Sequence, residues 1–117
     1  MALEVRRLKM QESFDNARRR CNNIKPKTGS LAEMELRLLS WNLDRLAPYM
    51  REESNNLTGD EIAGIQEAIN HNLQVLTILG GYEKQLPGGR KIRVPGTALS
   101  EEKTLDVIKY VPNLLPR

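Results

Sequence analysis

Residues 30–81 read SLAEMELRLLSWNLDRLAPYMREESNNLTGDEIAGIQEAINHNLQVLTILGG. This stretch decides the fold, because it spells two amphipathic helices joined by a polar turn. The first opens at Ser30 and carries Leu36, Leu39, Leu43 and Leu46 to Pro48. The second opens at Thr58 and carries Ile62, Ile65, Ile69, Leu73 and Leu76 to Gly80-Gly81. Steps of three and four residues return a side chain to the same side of a helix, so each set forms an apolar stripe. Both starts have the residues of a capping box, Ser30 with Glu33 and Thr58 with Glu61, in which hydroxyl and carboxylate satisfy each other's backbone amides. Leu57 and Ile62 add a hydrophobic staple at the second start. Pro48 removes an amide and disfavours helical geometry at Ala47, which ends or kinks the first helix there.

The first of these helices has more apolar surface than one neighbour requires. Ala32, Leu36, Leu39, Leu43, Leu46 and Met50 make one seam, and Met34, Leu38 and Trp41 make a second beside it. A helix with two such stripes is central in a bundle or also meets another subunit. On the next helix Asn72 stands where a strict repeat from Ile69 to Leu76 would put an apolar side chain. A lone Asn at such a place can fix register or oligomer state in a coiled coil. The favoured alternative is that the 3.6-residue period shifts that place to Leu73 and leaves Asn72 at the edge of the stripe. His71 and Glu67 share a face, but two ligands do not make a metal site.

Upstream, residues 2–22 read as another helix, with Leu3, Met10, Phe14, Ala17 and Cys21 within one narrow face. Cys21 falls on this face as a small buried hydrophobe. Asn22 to Gly29 breaks the pattern: Pro26 holds Lys25 extended, and Gly29 admits the reversal before Ser30. The connection is short enough for antiparallel neighbours. Downstream, Tyr82–Leu86 and Arg90–Val94 flank Pro87-Gly88-Gly89, which predicts a small β-hairpin over 82–94. Ser100, Glu101 and Glu102 open a short last helix over 101–110, and Val111–Arg117 reads as an apolar, extended docking tail. The fold class expected is mainly α: an antiparallel helical bundle built on the central helical hairpin, with a C-terminal β-hairpin and tail, in one domain over 1–117.

Composition sets the outer limits. The chain of 117 residues has 39% apolar and 28% charged residues and only five aromatics, so aliphatic side chains must build its core. No apolar run approaches the ~20 residues that span a bilayer, and Met1–Arg7 lacks a secretory apolar segment, so a non-secreted, cytoplasmic or other intracellular protein is expected. One cysteine excludes an internal disulfide. The net charge of +3 is unevenly spread: residues 1–29 carry +5, residues 30–81 carry −5 and residues 82–117 carry +3. The basic ends either pack on the acidic middle or face an anionic partner.

No Gly-rich nucleotide fingerprint is present, and the paired carboxylates lie in turns or first helical turns where capping explains them. A non-enzymatic chain without cofactor or metal is expected. Two functions compete. In the first, the protein is a helical assembly module that self-associates, or binds a protein partner, through Met10, Phe14, Ala17, Leu36, Leu39, Leu43 and Leu46. In the second, it binds the phosphate backbone of duplex DNA or RNA through Arg18, Arg19, Arg20, Lys25, Lys27, Arg90, Lys91 and Arg93, with little sequence preference. The sequence leaves open the partner's identity, the oligomeric state and whether the source is cellular or viral.

Overall fold

A computed structural model describes residues 2–50 and 55–97 of the chain. It is mainly helical, with helices α1 over Leu3–Asn23, α2 over Leu31–Leu46 and α3 over Gly59–Gly80. One 3₁₀ turn, Ala47–Tyr49, follows α2, and a two-stranded antiparallel sheet pairs β1 (Tyr82–Gln85) with β2 (Lys91–Val94). The expected helix over 101–110 and the tail over 111–117 lie outside the described residues.

Local chemistry fixes these boundaries. At α3, the Thr58 amide donates to Glu61 Oε1 at 3.0 Å and the Glu61 amide donates to Thr58 Oγ1 at 3.2 Å, a complete capping box. Leu57 and Ile62, the staple pair, are both buried. The start of α2 differs from the sequence expectation. Its Glu33 amide does donate to Ser30 Oγ, but Glu33 Oε1 accepts from Gly29, one residue earlier, at 3.4 Å. Ser30's own amide is already taken by the Lys27 carbonyl, so the carboxylate moves to the next free donor. Arg37 then meets the same Glu33 carboxylate at 3.3 Å, one turn on. Pro48 acts as expected: regular helix stops at Leu46 and tightens into the 3₁₀ turn.

All three helices contribute to one core. Met10, Phe14, Ala17 and Cys21 come from α1; Leu39, Leu43 and Leu46 from α2; Ile62, Ile65, Ala68, Ile69, Val75, Leu76 and Leu79 from α3. Side-chain bridges give their directions. Arg6 donates to the Gly59 carbonyl, Gln66 to Ser13 and Arg20 to Thr77, so residue numbers rise together and α1 runs with α3. Arg18 bonds Ser40 and Asp44, whereas Cys21 lies against the Leu36 carbonyl, so α1 runs against α2.

Asn72 departs from the expectation that it marks the stripe's edge. It is buried, and Leu73 is only partly so. Around α3 the buried positions run in order from Val75 through Ala68, Leu79, Asn72, Ile65, Leu76 and Ile69 to Ile62, which puts Asn72 near the middle of the buried face and Leu73 just past its edge.

The hairpin leaves α3 through Gly81, whose φ of 76° and ψ of 170° belong to a region that only glycine adopts without strain. Register pairs Tyr82 with Val94, Glu83 with Arg93, Lys84 with Ile92 and Gln85 with Lys91. Tyr82, Lys84, Ile92 and Val94 therefore share one face; Glu83, Gln85, Lys91 and Arg93 share the other. At its base, Arg93 donates to the Gly80 carbonyl and Thr97 to the Ile78 carbonyl.

Candidate interaction surfaces

The seven apolar residues expected at a subunit interface are largely consumed within the chain. Met10, Phe14, Ala17, Leu39, Leu43 and Leu46 are buried in the core, and Leu36 packs partly buried against it. Helix spacing identifies such residues as seam-forming but cannot say whether the other side of the seam is the same chain or another copy. Here α1 and α3 supply it.

The second stripe of α2 has a different fate. Leu31, Met34 and Trp41 are 42%, 45% and 47% exposed, and Leu38 between them is half-buried. Their three-four-three spacing lines them along the side of α2 that the core seam does not use. Arg45 continues the line, its guanidinium 5.0 Å from the centre of the Trp41 ring. A cation above an indole face is attracted by the ring quadrupole. The sequence signal for this surface was the Met34–Leu38–Trp41 stripe itself; Leu31 extends it by one turn.

The eight basic residues divide into two groups. Arg18 is held by Asp44 at 2.7 Å and lies over the Phe14 ring at 5.6 Å. Arg20 donates to Thr77 at 2.7 Å, Arg93 to the Gly80 carbonyl at 2.9 Å and Arg19 to Asn16 at 3.1 Å. Arg18 thus ties the basic N-terminal helix to the acidic α2, and Arg20 ties it to α3. Lys25, Lys27, Arg90 and Lys91 are exposed and point into solvent, as does Lys84 on β1.

Two shallow grooves border α1. One, of about 430 Å³, lies between α1 and α3 and is lined by Arg6, Lys9, Ile62, Ala63, Gln66, Glu67 and Asn70. The other, of about 300 Å³, lies against α2 and reaches Cys21 beside Glu33, Arg37 and Ser40. Cys21 is buried, and that burial pushes its thiol pKa up; the positive charge of Arg18 works against the shift and the negative charge of Asp44 with it. The thiol therefore keeps its proton at neutral pH and is a poor nucleophile. Among the described residues no three His, Cys, Asp or Glu side chains gather as metal ligands, and no helix is long and apolar enough to cross a membrane. Compared with protein-family models, curated proteins and solved structures, the chain matches none of them.

Proposed function

We propose that the helices form an antiparallel bundle that serves as a non-enzymatic assembly module, pairing with a second copy through the outer stripe of α2. The observation that carries this reading is the unspent line Leu31–Met34–Leu38–Trp41 on a helix whose other stripe already fills the core. An antiparallel pairing of two such helices sets Leu31 against the partner copy's Trp41 and Met34 against its Leu38, so every layer is apolar on both sides. The protonated, buried Cys21 supports a non-catalytic role.

The expected affinity is modest. Covering the remaining exposed half of a large apolar side chain contributes about 1 kcal/mol, so four such residues on each of two copies give roughly 8 kcal/mol. Lost translation and rotation cost about 4 kcal/mol or more, which leaves a dissociation constant in the millimolar range. Sedimentation equilibrium across that range tests the reading. The average mass should rise above the 13.3 kDa of one chain, and Met34→Glu with Trp41→Glu should return it to that value while the far-ultraviolet helix signal persists.

A further inference from the structure

The two basic segments, separated in sequence by an acidic one, meet at one end of the fold. Because α1 runs with α3 and against α2, that end gathers the C-terminus of α1, the loop to α2, the C-terminus of α3 and the hairpin. Ile24, beside Lys25, packs so closely on Gly80 that a Cβ there would lie 3.2 Å from its Cδ1, and Arg93 of the hairpin donates to the same residue's carbonyl. Segments 19–37 and 77–97, which form this end, hold nine Lys and Arg against Glu33, Glu35 and Glu83, a net charge of +6. Segments 2–15, 42–50 and 55–70, which form the other end, hold four against seven, a net charge of −3. Folding converts a chain of mild net charge into a strongly polarised body.

The shape of the basic end selects among anionic partners. The hairpin stands off the helices with all four residues of β1 exposed and β2 exposed up to Val94. Its tip is closed by Leu86 and Arg90 and turned by Gly88 and Gly89, both at positive φ and, among the described residues, with nothing within 4 Å of where a Cβ would sit. A bare two-stranded ribbon fits the major groove of B-form DNA, which is about 12 Å wide and 8.5 Å deep. Four residues of strand extend about 13 Å, enough for the ribbon to enter the groove with Arg90 and Lys91 between its phosphate walls and the ribbon's base still outside. Lys25 follows Ile24, which packs on Gly80 at that base, and Lys27 lies two residues further along the same loop, so both can turn toward the flanking phosphates. The deep, narrow major groove of A-form RNA does not admit such a ribbon.

We infer that this end of the molecule binds duplex DNA, with the 82–94 hairpin in the major groove and Lys25, Lys27, Lys84, Arg90 and Lys91 on phosphates. Arg18, locked to Asp44, takes no part. The inference does not rest on pairing through α2, which faces sideways from this end. Five neutralised phosphates give a log–log salt slope of about −4.5, so affinity should fall roughly 500-fold between about 50 and 200 mM salt.

The test is fluorescence anisotropy of a labelled DNA duplex titrated at low micromolar protein and below, where the α2 faces remain unpaired. RNA duplex of the same sequence, vesicles containing phosphatidylserine and polyglutamate serve as comparison ligands. Lys25→Glu with Lys27→Glu, and separately Arg90→Glu with Lys91→Glu, should each weaken DNA binding at least tenfold and flatten the salt slope by about two, while Lys9→Glu at the opposite end leaves binding unchanged. Binding of RNA duplex, vesicles or polyglutamate as tight as that of DNA would overturn the inference. So would the absence of a DNA complex at about 50 mM salt, or equal binding by both reversal pairs and wild type in samples with unaltered helix signal.

Discussion

Replacing Gly81 by Ala should detach the hairpin and leave the helices standing. The residue sits at φ 76° and ψ 170°, a region essentially closed to side chains, at a cost of about 1–3 kcal/mol. A Cβ there would also lie 2.5 Å from the Val94 carbonyl oxygen and 2.8 Å from the Gly96 nitrogen, both backbone atoms. Neither can swing aside like a side chain, so relieving the contact breaks the Tyr82–Val94 end of the ladder. The combined penalty exceeds what a two-stranded hairpin with exposed faces can absorb, since such units are marginal on their own. The helices, joined through a core of sixteen buried apolar residues, do not share it. Hydrogen exchange on wild type and Gly81→Ala reads the outcome residue by residue. The amides of the 82–94 ladder should lose their protection, while those of α1 and α3 change little and the helix signal stays. Gly96→Ala should act similarly, because its Cβ would overlap the Leu79 carbonyl. Retained protection of the ladder in Gly81→Ala would refute the reasoning, as would loss of protection throughout α3.

Other perturbations probe single links. Thr58→Ala removes one half of the α3 capping box and should cost about 1 kcal/mol, seen as a fall of roughly 4–8 °C in melting temperature. Thr58→Ser, which keeps the hydroxyl, should recover most of it. Cys21 should resist iodoacetamide in the native protein and react on unfolding, because burial raises its pKa above the ordinary 9.0. The neutral thiol's contribution to stability is full below the unfolded thiol's pKa and is lost as pH rises through the folded one. The stability difference between wild type and Cys21→Ala should therefore shrink in alkaline denaturation series, and a difference constant with pH would contradict the assignment.

Much of the fold was legible because its signals are local. Capping residues, Pro48, Gly29 and Gly81 act within a few positions, and the limits of the described helices and hairpin fall within one or two residues of where the sequence puts them. What failed to read out depends on which faces meet. Spacing marked Leu39 and Leu43 as a seam, but only the fold shows that α1 and α3 of the same chain fill it. Asn72 reads as an edge residue beside Leu73, yet it lies near the middle of the buried face of α3, and Asn42 and Glu35 of α2 are buried as well. The basic residues were identifiable by type alone. That Arg18 is tied to Asp44 while Lys25 and Arg90 are exposed at one end follows from helix directions, which no local pattern encodes.

The claim that the outer stripe of α2 joins two copies is tested most directly by mass in solution. Sedimentation equilibrium in about 0.5 M salt, where attraction between the oppositely charged ends is screened, isolates apolar pairing. The average mass should climb from 13.3 kDa toward twice that value as the chain is concentrated from about 20 µM to 1 mM, a climb abolished by Met34→Glu with Trp41→Glu. A mass fixed at 13.3 kDa across the range, or a climb unaffected by the paired substitution, would contradict it.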